Sequence, residues 1–488
     1  MTRPARVEAT GWGWRYAGRK APAVRDVTFT IEPGERVLLL GASGAGKSTL
    51  LLGIAGLLGG ADEGELSGRM LVDGAPAQSQ RGRVGLVLQD PDAGVVLSRV
   101  GDDVAFGCEN LGVPASEIPS RVAEALDDVG LDVPLDRATA QLSGGQKQRL
   151  AIAGVLAMRP GVLLMDEPTA NLDPTGVGEV RDAVARAVAA TGSTLVVIEH
   201  RTEVWAGLMT RVIVLDAAGG VLADGAPDEV FAAQGDALAA AGVWVPGRGI
   251  DLPELAAGAP ADAQPLLSAR RLAVSRDRRT PVRGDLTFDV SGGAATVVTG
   301  PNGIGKSTLA LTLAGLLPEF AGEVVSSAAL AGARGRRPSQ WRSRELLTRI
   351  GTVFQEPEHQ FLTQTVRDEL AVGPRALGFG AAAVTGVVDD LLERLGLHAL
   401  ARANPFTLSG GQKRRLSVGT VLATGPRVVV LDEPTFGQDR RGWISLVQLL
   451  QDEIARGTAV VAVTHDEAVA RHLGGQRLQL AAAEAVAR

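Results

Sequence analysis

The sequence predicts an α/β chain of two tandem, similar domains, each with a mainly parallel sheet core and a helical subdomain. Three observations predict it. The chain repeats itself: GASGAGKST at 41–49 returns as GPNGIGKST at 300–308, LSGGQK at 142–147 returns at 408–413, and VLLMDEPT pairs with VVVLDEPT. Short apolar runs lead straight into glycine loops and then into helices, as RVLLL at 36–40 precedes STLLLGIAGLL and TVV at 296–298 precedes STLALTLAGLL. Further continuous runs, VLLMD, TLVVIEH, VVVLD and AVVAVTH, read as buried strands, and their alternation with helical stretches implies parallel pairing. Residues 95–140 and 362–406 read as mostly helical insertions, with Pro114 and Pro119 marking a break in the first. The two loop lysines lie 259 residues apart and the two DEPT aspartates 266, so the second half carries about seven extra residues, placed in the Gly/Arg-rich stretch Arg334 to Trp341. Between the copies, Pro246, Pro253, Pro260 and Pro265 stand among glycines and alanines, a composition that disfavours helix and sheet alike. The expected layout is domain 1 over 1–240, a tether over 241–265 and domain 2 over 266–488.

Composition narrows the function classes. In 488 residues, 45% hydrophobic and 21% charged, disorder and fibrous repeats are excluded. The richest apolar stretch, Leu38 to Leu58, is broken by Lys47 and by glycines, short of the ~18–20 residues a membrane span needs. MTRPARVEATGWGW has no apolar core of signal-peptide type, and Cys108 is the sole cysteine, so neither a disulfide framework nor an iron–sulfur cluster can form and a reducing cytoplasm is expected. A net charge of −6 offers no broad basic surface for nucleic acid. Any polyanion bound is expected to be small and locally held.

The motifs carry the chemistry. Gly41, Gly44, Gly46, Lys47 and Ser48 satisfy G-x4-G-K-S between a strand and a helix, where backbone N–H groups and the helix N-terminus wrap phosphates; Gly300, Gly303, Gly305, Lys306 and Ser307 repeat it. The lysines would meet β and γ phosphates and the serines would ligate Mg²⁺. Asp166-Glu167 and Asp432-Glu433 end buried strands, at the sheet edge where ligands collect. The aspartates suit a Mg²⁺ site, and the glutamates suit a base that polarises an attacking water. His200 and His465 end the next strands, 34 and 33 residues after their aspartates, within reach of a γ phosphate.

Assembled, these residues resemble the ATP-binding cassette (ABC) ATPases over both halves nearly end to end, with LSGGQ as the signature. The resemblance implies two tandem P-loop NTPase ABC nucleotide-binding domains, with ATP and Mg²⁺. Each signature, Ser143-Gly144-Gly145 or Ser409-Gly410-Gly411, would press onto the nucleotide held by the opposite domain. The first site then combines Ser43, Lys47, Ser48, Thr49, Gln89, Asp166, Glu167 and His200 with Ser409 and Gly411. The second combines Asn302, Lys306, Ser307, Thr308, Gln355, Asp432, Glu433 and His465 with Ser143 and Gly145. Catalytic roles fall to Glu167, Glu433, His200 and His465; Mg²⁺ to Ser48, Gln89, Asp166, Ser307, Gln355 and Asp432. Tyr16 lies where the family stacks an aromatic ring on adenine, whereas the second half has Val274-Ser275-Arg276. The loop after DEPT also differs, Asn171-Leu172-Asp173 against Gly437-Gln438-Asp439, which implies unequal communication between sites.

The stretches opened by Gln89 and Gln355 resemble energy-coupling factor ATPases, which drive uptake of vitamins and of cobalt or nickel. That implies a peripheral ATPase on the cytoplasmic membrane face, paired with a transmembrane coupling protein and a substrate-binding membrane component, with the two fused domains forming the ATPase dimer and no nucleic acid bound. Thiamine or its pyrimidine precursor is the cargo favoured by the fused layout. Asp102-Asp103 and Asp368-Glu369 are the expected acceptors for arginines of the membrane partner's coupling helices. The alternatives are a soluble tandem ABC ATPase acting on ribosomes or DNA, and the ATPase of another ABC transporter class.

Overall fold

The structure is a computed structural model and describes residues 3–60, 62–80, 82–170, 172–216, 219–258, 263–277 and 279–481; Pro260 of the expected tether and Asn171 lie outside the described residues. The chain divides into two lobes, Met1–Arg248 and Gly249–Arg488.

In the first lobe the strands stand in the order Val221–Gly225, Arg211–Leu215, Arg36–Gly41, Thr194–Ile198, Val162–Asp166, Val84–Val87, parallel except for the first pair. The strands Arg36–Gly41, Val162–Asp166 and Thr194–Ile198 are apolar and buried at nearly every position, as strands covered on both faces must be. The second lobe repeats the arrangement with Ile350–Val353, Val428–Asp432, Ala459–Val463, Ala295–Thr299 and Gln476–Gln479, all parallel. In both lobes the strand leading into the glycine loop lies beside the strand that ends in the histidine, and the strand that ends in Asp-Glu comes next, so the three motifs share one sheet edge.

Each lobe also holds an antiparallel sheet that sequence reasoning did not anticipate: Val24–Ile31, Val7–Tyr16, Gly64–Val72 and Ala75–Pro76 in the first, Arg283–Ser291, Pro265–Val274 and Ala321–Ser326 in the second. Its signal was period-two alternation, as in Arg283–Ser291, where Leu286, Phe288 and Val290 are buried and Asp285 and Thr287 exposed. Bulges and left-handed residues, among them Asp26 and Asp285 (φ +52° and +58°), interrupt that alternation and hide it.

The helical insertions are present as Val100–Asn110 with Ile118–Asp128, and Val366–Ala376 with Ala381–Arg394. Pro114 lies in the break, while Pro119 sits in the first turn of the next helix, where its missing N–H costs nothing. The extra residues of the second lobe fall between Ser326 and Ile350. Trp341 pins that loop: it is buried, its Nε1 donates to Gly335 O at 2.6 Å, and the Arg349 guanidinium sits 5.5 Å from its ring centroid.

The tether is packed rather than loose over its described residues. Val243 and Val245 are buried in the core of the first lobe. Residues 253–258 lie along the second lobe, where Pro253 O accepts from Gln451 Nε2 at 2.8 Å and Gly475 N donates to Ala256 O at 2.9 Å. Backbone groups that composition leaves without a ladder find partners here instead. Among the described residues no helix is long and apolar enough to cross a membrane.

Candidate active sites

The glycine loops owe their shape to positive φ and close approach. Gly41 (φ +151°) would place a Cβ 2.8 Å from Leu215 O, and Gly46 (φ +88°) one 2.3 Å from Ala23 O, so no side chain fits either position. Behind the loop the helix Lys47–Ile54 begins, and Lys47, nearly buried, donates to Gly41 O at 2.8 Å and Ala42 O at 3.1 Å. Lys306 bonds Gly300 O and Pro301 O at 2.8 and 3.0 Å, ahead of Lys306–Leu313. A lysine folded back onto the loop carbonyls at the N-terminus of a helix makes a small anion cradle with the helix amides. Ser43, Gly44, Asn302 and Gly303 lie in the same two loops, and Thr49 and Thr308 are buried in the first turn of the helices.

Beside each loop stands an oxygen pair suited to a hard divalent cation: the Ser48 hydroxyl donates to Asp166, and the Ser307 hydroxyl to Asp432. Burial pushes the Asp166 carboxyl up to about 6, with the Glu167 charge adding and Ser48, Lys47 and His200 opposing. Asp432 is raised by the same burial, opposed by Ser307, Arg414 and Lys306. Carboxylates whose charge is this poorly solvated are ready to take a cation. Mg²⁺ therefore fits both pairs.

Glu167 and Glu433 both sit in left-handed backbone, at φ +47° and +49°, a conformation that costs a non-glycine residue about 1–3 kcal/mol and that recurs at functional sites. Their amides still extend the sheet, Glu167 N to Ile198 O at 2.9 Å and Glu433 N to Val463 O at 2.8 Å, before the chain turns. That geometry aims each carboxylate at the neighbouring histidine.

From here the lobes diverge. Gln89 Nε2 donates to Glu167 Oε2 at 2.8 Å, and His200 Nε2 stands 3.2 Å from Glu167 Oε1. Burial works to raise the Glu167 carboxyl, but the charge and hydrogen bond of His200, helped by Lys47, outweigh it and hold it below the usual range. In the second lobe Thr464 Oγ1 (3.2 Å) and His465 N (3.4 Å) donate to Glu433 Oε2, while His465 Nε2 is 3.0 Å from Asn302 Oδ1 and 3.7 Å from Glu433 Oε1. There burial, with the Asp432 charge, pushes Glu433 up to about 7. Gln355 contributes its carbonyl, which accepts from Arg414.

Ser143 and Ser409 are N-caps of Gly144–Ala157 and Gly410–Leu422. Each closes a capping box: Ser143 Oγ accepts from Gln146 N at 3.3 Å and Gln146 Oε1 from Ser143 N at 3.0 Å, with Ser409 and Gln412 at 3.4 and 3.0 Å. The glutamine of the signature is thus a cap, a role legible in S-x-x-Q spacing and missed. Gly145 and Gly411 stand in the first turn behind their serines.

Tyr16 is half-buried, its hydroxyl 3.2 Å from Thr49 Oγ1 and the Arg19 guanidinium 5.8 Å from its ring centroid. The second lobe offers no ring there: Ser275 Oγ donates to Asp277 Oδ1 at 3.0 Å and Arg276 is exposed.

Two expected arginine acceptors are corrected. Asp103 is buried and accepts from Val96 N and Leu97 N, both at 2.7 Å; Glu369 is buried and accepts from Leu362 N, Thr363 N and Thr363 Oγ1 at 2.9, 2.7 and 2.9 Å. Their charges are spent on loop amides, leaving exposed Asp102 and half-buried Asp368, itself paired with Arg375 at 3.2 Å. Sequence reasoning also missed Arg414, whose buried guanidinium donates to Phe354 O at 2.7 Å and Asp432 O at 3.4 Å.

The ABC transporter family model matches residues 24–170 and 284–436. A Bacillus subtilis protein, YkoD, named for HMP/thiamine import and ATP binding, is 36% identical over 92% of this chain and 85% of its own. A Streptomyces avermitilis protein, named for ABC transport and ATP binding, is 35% identical over 97% of this chain and 91% of its own. Among solved structures, an archaeal ribosome recycling factor in complex with a ribosomal stalk protein covers 96% of this chain and 87% of its own at TM-score 0.60 and 20% identity, a likeness of fold alone.

Proposed function

We propose a function from one premise: the chain belongs to the ABC transporter family, and its two cassettes make it an ATPase. It powers uptake of a small solute, thiamine or its pyrimidine precursor, through a separate transmembrane partner of energy-coupling type, working at the cytoplasmic face of the membrane beside a substrate-binding membrane component. The observation that carries the ATPase chemistry is the pair of left-handed glutamates set at a strand end beside a serine–aspartate pair and a histidine, once in each lobe. The likeness to YkoD along nearly the whole chain supports the cargo.

In the proposed reaction the lysines and loop amides hold the β and γ phosphates, and Glu167 or Glu433 accepts the proton of the attacking water. His200 or His465 orients the γ phosphate, and Tyr16 packs on adenine in the first site. Ser48, Asp166 and Gln89, and Ser307, Asp432 and Gln355, would hold Mg²⁺, which supplies charge neutralisation on the phosphate oxygens. By the family resemblance, Ser143 with Gly145 would serve the nucleotide held by the second domain, and Ser409 with Gly411 that held by the first.

Glu167→Gln with Glu433→Gln is expected to retain ATP binding and lose turnover by at least ~100-fold. Normal turnover would refute the base assignment. Uptake of labelled thiamine, of its pyrimidine precursor and of cobalt by cells carrying or lacking the gene tests the cargo. Unchanged uptake of all three, or salt-sensitive RNA binding by the purified chain, would overturn the transport reading.

A further inference from the structure

The two loops that carry His200 and His465, the switch loops, are tied down differently. In the first lobe the residue before the histidine is Glu199, buried, and its carboxylate is the hub: Oε1 accepts from Thr169 N at 3.0 Å and from Thr169 Oγ1, while Oε2 accepts from His200 N at 3.0 Å and Arg201 N at 3.4 Å. In the second lobe the matching residue is Thr464, and the carboxylate has moved to the other side of the histidine. Asp466 accepts from Thr435 Oγ1 at 3.2 Å and Trp443 Nε1 at 2.7 Å, so the DEPT threonine is still tied. The histidine amide is not: it turns to the proposed base, and Glu433 Oε2 accepts from both His465 N and Thr464 Oγ1.

We propose that Glu199 is a positioning residue that takes the switch-loop amides away from Glu167, leaving that carboxylate to Gln89 and the His200 imidazole. The inference rests on reading Glu167 as the base. Where no such residue stands, Glu433 fastens its own switch loop and the imidazole rests against Asn302. A base held by its own loop must loosen that loop before it can accept a proton from water, whereas the donors on Glu167 are two side chains, Gln89 Nε2 at 2.8 Å and His200 Nε2 at 3.2 Å, which can part from it with the loop still fastened. The first site therefore keeps its histidine loop fastened independently of its base, and Glu199 is the residue that fastens it.

The chain supplies its own test. Glu199→Thr installs the second lobe's residue, and Glu199→Thr with Arg201→Asp also installs a carboxylate for Thr169 at the position of Asp466. ATP turnover, KM for ATP and thermal stability are measured on the full chain, in the wild-type and in a Glu433→Gln background. In the Glu433→Gln background Glu199→Thr is expected to lower kcat about 10-fold or more with KM within about threefold, and in either background to lower the melting temperature. The double swap is expected to recover stability while kcat stays low, because the His200 amide still lacks Glu199. Recovery of kcat together with stability would show a merely structural tie and overturn the proposal, as would unchanged kcat for Glu199→Thr in the Glu433→Gln background. Where the single variant does not fold, the double swap is the variant read. Glu167→Gln run alongside separates the failures: full turnover there overturns the base reading first, whereas lost turnover there with normal turnover in the Glu199 variants overturns only the positioning role.

Discussion

Removing Glu369 puts a number on the loop clamp that the second lobe carries beside its Gln355 stretch. The carboxylate accepts three hydrogen bonds from Leu362 N, Thr363 N and Thr363 Oγ1, at 2.9, 2.7 and 2.9 Å, from a position only 2% exposed. Hydrogen bonds to a charged acceptor contribute about 1.5–3 kcal/mol each. The donors sit in a loop whose Leu362 is 77% exposed, so water recovers part of the loss, and Glu369→Ala is expected to cost ~2–4 kcal/mol. For a lobe of this size that corresponds to a drop of about 4–16 °C in the second-lobe transition, read by calorimetry. Asp103→Ala, with two donors, should lower the first-lobe transition by a smaller amount. Asp102→Ala, at an exposed position, should stay within about 0.5 kcal/mol. A shift below about 1 °C for Glu369→Ala, or equal costs at Asp102 and Asp103, would refute the clamp and restore these acids as free acceptors for a partner's arginines.

The pH dependence of the second lobe follows from Glu433, pushed up to about 7 by burial and the Asp432 charge. A raised carboxyl binds its proton more tightly when folded, so its contribution is fully present below the ordinary carboxyl range and is lost as pH rises through about 7; Glu433→Gln should flatten that decline in nucleotide-free protein titrated by denaturant. Gly46→Ala should cripple ATP binding more than Gly305→Ala: both glycines have positive φ, but the new Cβ would meet a backbone carbonyl at 2.3 Å in the first loop and a valine methyl at 3.0 Å in the second, and equal loss by calorimetric titration would contradict this. Arg414→Met should destabilise the second lobe by ~3 kcal/mol, since the carbonyls of Phe354 and Gln355 lose a buried donor; a loss under ~1 kcal/mol by denaturant titration would show that water replaces it.

Repetition, apolar runs and glycine spacing determined a great deal by themselves: two α/β halves, parallel cores, phosphate loops opening helices, and Asp-Glu and His at neighbouring strand ends. Those features are local or periodic, so a few adjacent residues suffice to specify them. Tertiary structure decided what depends on residues far apart in the chain. Asp103 and Glu369 look like free surface acids in sequence and are spent on loop amides because the chain folds back over them. Glu199 and Asp466 become counterparts only when each lies against the DEPT threonine, about 30 residues earlier, and the left-handed turn at Glu167 and Glu433 has no side-chain signature. The difference between the sites lives there: identical motifs supply the same groups to both, and a hydrogen bond is directional, so the packing around each group decides which partner it serves.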